Sequence, residues 1–197
     1  MSPLEERNNM ISLNHAEFIV LGLIAENSSH AYNINKRIEE RGMRGWTNIG
    51  RSSIYRVIKS LEEKGLTDKW IEEVDNRTLK VYNITEMGSR VLKEKVFNVI
   101  KEFIGKNDED FYVAFSMLPI LSHEEKIEAI SNSLNIIIKH KKELEEMLDK
   151  NSHMPLNVRG LFLHPIKILG IDVEFLNWVL EEIKKGGGKV GPEAYGK

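Results

Sequence analysis

Cysteine is absent from all 197 residues. That excludes a disulfide framework, a thiolate metal site and a thiol nucleophile, and it fits a reducing cytoplasm. Long apolar runs are missing as well. The longest, Phe18 to Ala25, falls well short of the roughly 20 residues a membrane-spanning helix needs. The opening MSPLEERNNM has acidic residues and no apolar stretch, so it does not read as a signal peptide. A basic excess is lacking too. Net charge is −2, with 12 Lys+Arg against 11 Asp+Glu over residues 13–92 and 15 against 17 from residue 93 onward. Contact with a polyanion must therefore come from a focused patch rather than bulk attraction. These absences describe a soluble cytoplasmic protein.

Catalytic signatures are equally scarce. His123-Glu124-Glu125-Lys126-Ile127 opens like a zinc-protease helix but has Ile127 where the second histidine is required. Gly187-Gly188-Lys189 lacks the spacing and the preceding strand of a phosphate loop. The six histidines are scattered, with no pair at ligand spacing on one helix face, and no serine sits in a nucleophile-elbow pattern. The expectation is a non-enzyme with no metal and no cofactor.

What is present centres on Gly50 to Leu66, GRSSIYRVIKSLEEKGL. Wound as a helix, this stretch puts Ile54, Val57, Ile58 and Leu61 on one side at the spacing of a buried stripe. Ser52, Arg56 and Lys59 stand opposite, with Ser53 and Tyr55 on the flanks. From Arg41 to Leu61 there are five basic residues and no acidic one: Arg41, Arg44, Arg51, Arg56 and Lys59. Such a face suits a DNA major groove, where arginine pairs with a guanine edge and serine, tyrosine and lysine hold phosphates.

Two helices precede it. Asn14 or His15 caps the first, Ala16 to Ala25, with Phe18, Ile19, Leu21, Leu23 and Ile24 inward. Asn27-Ser28-Ser29 restarts the chain into a second helix, Ala31 to Arg41, ended by Gly42 and Gly45. Gly65 closes the third helix. Trp70 to Val74 and Lys80 to Ile84 then read as strands joined by Asp75-Asn76-Arg77-Thr78, which has turn chemistry. Three helices and a hairpin make a winged helix-turn-helix, with Arg77 and Lys80 as wing contacts. The candidate DNA-binding residues are Tyr32, Arg44, Arg51, Ser52, Ser53, Tyr55, Arg56, Lys59, Arg77 and Lys80.

The remainder reads as helical. Thr85 caps a helix bearing Leu92, Val96, Val99, Ile100 and Phe103, expected to lead rigidly into the second half. Gly105 to Asp108 ends it and caps another, in which Phe111, Ala114, Phe115 and Leu118 share a face. Ser122-His123-Glu124-Glu125 is a capping-box pattern. Behind it Ile127, Ile130, Leu134, Ile137, Leu144 and Leu148 form a heptad seam, with Lys141 in the one polar slot. Two readings stand: a coiled-coil-like dimer contact, with Lys141 setting register, or a helix of an intramolecular bundle. Residues 151–170, broken by Pro155, Gly160 and Pro165, form either one kinked helix or a loop and a short helix. Asp172 caps a last helix with Phe175, Leu176, Val179, Leu180 and Ile183 inward and Trp178 beside them. Gly186-Gly187-Gly188 ends order, leaving a disordered tail.

The chain so read resembles the PadR family of transcriptional regulators. The resemblance rests on His30-Ala31-Tyr32, Ser53-Ile54-Tyr55, Leu61-Glu62-Glu63-Lys64-Gly65-Leu66, the wing closing on Tyr82-Asn83-Ile84-Thr85, and Gly88. Trp178 in the last helix matches the family's larger members. Two departures stand out. Ser52 and Arg56 replace the glycine and proline common around the recognition-helix motif, and the wing turn lacks the usual glycine-arginine-proline run. Operator preference is therefore not transferable from relatives, and of the wing turn only the role of Arg77 carries over.

The resemblance implies a mainly α fold with a small β-hairpin wing: a winged helix-turn-helix over 13–92 and a helical dimerisation domain over 93–185, with 186–197 as tail. It implies a homodimeric repressor on a palindromic double-stranded DNA operator. Its dimer contacts are expected at Ile127, Ile130, Leu134, Ile137, Lys141, Leu144, Leu148, Leu176, Val179, Leu180 and Ile183. It also implies a small hydrophobic or aromatic effector, for which Phe103, Phe111, Phe115, Phe162 and Trp178 are either the lining or plain core. The alternative is a winged helix serving as a protein-interaction module without specific DNA binding.

Overall fold

The computed structural model describes residues 11–47, 49–50, 53–74, 77–105, 108–150 and 153–186. The chain divides into two compact units, with the division between Lys95 and Val96.

The first unit is built around α1 (His15–Glu26), a helix apolar on every side and buried continuously from Glu17 to Ala25. Asn14 is its cap. The Asn14 side chain accepts from the Glu17 N–H and the Glu17 carboxylate accepts from the Asn14 N–H, a reciprocal pair that satisfies two otherwise orphaned donors. Around α1 lie α2 (Ala31–Glu40) and α3 (Ile54–Glu63), each amphipathic. Helix α2 buries Ala31, Ile34 and Ile38; α3 buries Ile54, Val57, Ile58 and Leu61, the stripe expected from spacing. Between them Gly42, at φ 60°, opens a single 3₁₀ turn over Met43–Gly45. Gly65, at φ 70°, closes α3 in the left-handed conformation that glycine adopts without penalty.

Strands β1 (Thr67–Val74) and β2 (Arg77–Ile84) pair antiparallel, with Trp70 opposite Val81 and Val74 opposite Arg77. Both start earlier than their apolar cores suggest, β1 at Thr67 because Thr67, Asp68 and Lys69 pair with Ile84, Asn83 and Tyr82, and β2 at Arg77 because Arg77, Thr78 and Leu79 pair with Val74, Glu73 and Glu72. Ser29 exchanges two backbone hydrogen bonds with Tyr82, at 2.9 and 3.0 Å, and so pins the α1–α2 connection to the sheet.

Helix α4 (Glu86–Lys101) begins in the first unit and ends in the second. The second unit continues with α5 (Glu109–Ser116), a 3₁₀ turn at Leu118–Ile120, α6 (His123–Lys150) and α7 (Leu156–Lys184). Asp108 caps α5, and the capping box at Ser122 and Glu125 forms. Asn132 and the buried Ser133 of α6 donate to the carbonyls of Lys101 and Phe103, satisfying acceptors just where α4 runs out.

Two expectations change here. Residues 156–184 form one continuous helix, with Gly160 and Pro165 inside it, so Asp172 is an interior residue and not a cap. Proline forfeits one intrahelical hydrogen bond, and the apolar stripe Ile166, Leu169, Leu176, Val179 and Ile183 packed on α6 outweighs that loss. The α6 seam is the second. Ile130, Leu134 and Ile137, together with Leu176, Val179 and Ile183, are already closed to water within the single chain. The periodicity marks a buried stripe, and α7 supplies its partner. Ile127, Leu144, Leu148 and Leu180 are half-buried. Lys141 lies with its stem 3.7 Å from where a Cβ on Gly170 would stand, its ammonium bonded to Glu145.

Packing α7 this way leaves a second stripe outside. Leu161, Ile168, Ile171 and Trp178 are exposed, Leu161 at 75%, Ile171 at 66% and Trp178 at 58%. With the half-buried Phe175 they step by seven, three, four and three, a heptad register on the face away from α6. Positions 187–197, including the expected disordered tail, lie outside the described residues.

Candidate nucleic-acid interface

Helix α3 carries the site because its apolar back is anchored and its front is open. Tyr55 is 67% exposed, and Arg56 and Lys59 are exposed beside it. Tyr55 and Lys59 share a groove of about 500 Å³ with Lys80 and Tyr82 of the wing. The helix face and the hairpin therefore meet along one surface. Arg56 points elsewhere, into a shallower hollow shared with Asn14, Ser53 and Ser60. Tyr32, on α2, is exposed but does not line the groove. Ser53 is half-buried, and its hydroxyl donates to the Gly50 carbonyl at 2.5 Å. Arg51 and Ser52 lie outside the described residues, as do Asp75 and Asn76; of Arg77 only the backbone is described, opening β2.

The charge of this surface is more mixed than the basic run implies. Arg41 donates both guanidinium arms to Glu26 at 2.8 and 2.7 Å. Arg44 donates to Asn35 at 2.6 Å and faces Glu39 at 3.2 Å, so its side chain is engaged within the domain. Within the groove, Lys59 stands 3.5 Å from Glu63 and Lys69 2.6 Å from Glu62. The Glu62 carboxylate holds the Lys69 ammonium above its usual range, and burial pushes the Tyr82 phenol up. Arg56 has no such partner among the described residues.

Sequence reasoning missed the supports behind the face. Glu17, 2% exposed, accepts from Ser60 of α3 at 2.8 Å and from Lys64 at 2.6 Å. Burial alone would raise its carboxyl, but the bonds from Lys64, the Asn14 N–H and Ser60 outweigh that, and it rests below the ordinary range. The Asn14-x-x-Glu17 capping pattern was the readable signal. His30, at the head of α2, meets the Lys80 carbonyl at 3.1 Å and Glu72 at 3.8 Å, bracing the wing.

In the second unit the aromatic side chains form a chain of contacts. Phe103 stacks on Phe111 at 3.7 Å, Phe111 lies 5.9 Å from Phe115, and Phe115 lies 5.2 Å from Phe175. A cavity of about 300 Å³ is lined by Phe103, Phe111, Tyr112 and Phe175 with Asp172, Gly105 and, from the exposed stripe of α7, Ile168 and Ile171. Of the expected lining residues only Phe103 and Phe111 reach it; Phe115 stands behind, Trp178 is 6.1 Å from Phe175 on the exposed stripe, and Phe162 is half-buried away from it. Among the described residues no cluster of side chains fits a metal ion, and no helix is long and apolar enough to cross a membrane.

Three helices, the third anchored by its apolar back, and a two-stranded wing define a winged helix-turn-helix domain of the DNA-binding class. Residues 20–94 match the transcriptional regulator PadR-like family, and this stretch is a PadR-like domain. The chain is similar to Bacillus subtilis PadR in complex with operator DNA, at 18% identity over 86% of this chain and 99% of that one, with a TM-score of 0.41. It is also similar to a PadR-like transcriptional regulator from Bacillus cereus, at 21% identity over 87% and 99%, TM-score 0.37. A third likeness is to Bacillus subtilis PadR in complex with p-coumaric acid, at 18% identity over 85% and 98%, TM-score 0.37. No curated protein matches the chain.

Proposed function

We propose that the chain is a non-enzymatic, cytoplasmic DNA-binding repressor. It acts as a homodimer on a palindromic operator and is released by a small aromatic ligand. The observation that carries the reading is the anchored α3, whose Tyr55 and Lys59 stand open beside Lys80 of the wing, with Arg56 exposed on the neighbouring face. In this reading residues 13–92 read DNA and residues 93–185 assemble the dimer and hold the effector. Half-sites then lie about one helical turn apart, as two-fold symmetry demands. The dimer contact falls on the outer stripe of α7, Leu161, Ile168, Ile171 and Trp178, since of the expected set Ile130, Leu134, Ile137, Leu176, Val179 and Ile183 are buried within the chain. A contiguous exposed apolar stripe of this kind marks an association surface.

Titration of the full chain against DNA from upstream of its own coding sequence, and against a scrambled duplex, tests this at two salt concentrations. Tight binding that prefers the upstream DNA and weakens steeply with salt supports a regulator, since each phosphate contact released contributes about 0.9 to the slope of log K against log salt. Equal, weak and salt-insensitive binding to every duplex, a genomic library included, overturns it. Glu62 and Glu63 in the groove favour the second reading, a protein-interaction module, which would show that second outcome.

A further inference from the structure

The cavity of about 300 Å³ in the second unit is unlike a plain aromatic core in one respect. Its walls are Phe103, Phe111, Tyr112 and Phe175 with Ile168 and Ile171 of the outer α7 stripe, and one carboxylate, Asp172, stands among them. Asp172 is the only charged side chain among the described residues lining the space. No hydrogen bond or ion pair reaches it among those residues. Gly105, at φ 74°, brings bare backbone against it: a Cβ there would stand 2.9 Å from Asp172 Oδ2 and 2.5 Å from Leu169. Any larger residue at 105 would push that oxygen away. Burial also raises the carboxyl above its ordinary range, as expected for an acid set among apolar groups.

We propose that this cavity binds a small organic cation, an ammonium attached to or flanked by a flat ring. The positive centre sits against Asp172 and the rings of Tyr112 and Phe175, with the stacked Phe103–Phe111 pair as the floor. Two forces act together there. Aromatic faces attract a cation through their quadrupole, and a partly desolvated carboxylate adds a Coulomb term that water screens less than at an open surface. A phenolic acid would bring a second negative charge to Asp172. A neutral ring would desolvate the carboxylate further and give nothing back. The volume holds one ring and its ammonium. The inference rests on the reading of residues 93–185 as an effector domain and names the charge its ligand carries.

The test is calorimetric titration of the full chain with three probes: phenyltrimethylammonium, its neutral isostere tert-butylbenzene, and p-coumarate. The expected result is one phenyltrimethylammonium per chain, bound in preference to both others. Asp172→Asn should weaken it roughly tenfold or more, with the melting profile confirming the variant is folded. Tyr112→Leu, at a half-exposed position, should weaken the cation severalfold and leave the neutral probe unchanged. Equal affinity for cation and neutral probe, unmoved by Asp172→Asn, would overturn the cationic assignment while leaving an effector site standing. So would tighter binding of p-coumarate. Cation binding indifferent to both variants places the site elsewhere and overturns it as well. No binding of any probe overturns both the assignment and the effector reading.

Discussion

Lys64 Nζ lies 2.6 Å from Glu17 Oε2, joining the C-terminal end of α3 to the first turn of α1. The same carboxylate accepts from Ser60 and caps its own helix through the Asn14 N–H. Helix α3 is thereby held to the most buried element of its domain at the end opposite its N-terminus. Lys64→Met strands a buried carboxylate, and a loss of about 2–3 kcal/mol in denaturant unfolding at pH 7 is expected. The folded carboxyl sits below 4.5, so its contribution is present above that pH and fades as pH falls through the folded value. The gap between Lys64→Met and wild type should accordingly narrow in acid. An equal gap at pH 7 and pH 3 would rule out the charge as its source.

Arg56 and Lys59 should separate by what they read. Arg56→Ala should relax base preference at one operator position, costing about 1–3 kcal/mol if it meets a guanine; Lys59→Ala should weaken all sequences alike and lower the salt slope by about 1. Arg44→Ala belongs to neither class. Its guanidinium is held by Asn35 and Glu39, so the expected change is a lower melting temperature with the operator preference intact. Competition binding against single-base operator variants decides all three.

The two stripes of α7 should also answer differently to substitution. Ile171→Glu places a charge on the exposed stripe and should yield a folded monomer in sedimentation. Ile137→Ala opens a cavity in the α6–α7 core and should cost about 2–5 kcal/mol of stability. A dimer that survives Ile171→Glu would move the contact off α7.

Asp172 should destabilise the fold at neutral pH. Its folded carboxyl lies above 3.8 because of burial, so the folded chain holds its proton more firmly than the unfolded one. Well below 3.8 both states are protonated and nothing is lost. As pH rises through the unfolded value toward the folded one, the unfolded state ionises first and stability falls. Asp172→Asn should therefore melt above wild type at pH 7, with the difference closing toward pH 3. Melting curves at the two pH values read this directly.

The helical stripes of the first unit were legible because a 3.6-residue period states which side is buried, and Ile54, Val57, Ile58 and Leu61 obey it. The period does not state against what. That is why the α6 stripe served equally well as a dimer seam or as the inner half of a helix pair. Pro165 and Gly160 read as breaks since propensity is local, whereas the packing that carries α7 through them is not. The charge of the candidate site was overstated for a related reason. Arg41 and Arg44 are neutralised by Glu26 and Glu39, which precede the basic run and reach it only through the fold. Tyr55 and Lys59 beside Lys80 were found because they sit on the one helix face and the one hairpin that local pattern does specify.

Thr85 precedes α4, and its hydroxyl donates to the Gly65 carbonyl at 2.8 Å while accepting from the Gly88 N–H at 3.0 Å. Gly88 itself sits so close to Leu66 that a Cβ there would fall 2.1 Å from the Leu66 carbonyl oxygen. The glycine that ends the recognition helix and the first turn of the helix leaving the domain thus share a single oxygen atom and bare backbone contact. A tilt of α4 about its first turn must either break that oxygen's bonds or carry the end of α3 with it, which makes the junction a gear tooth rather than a tether.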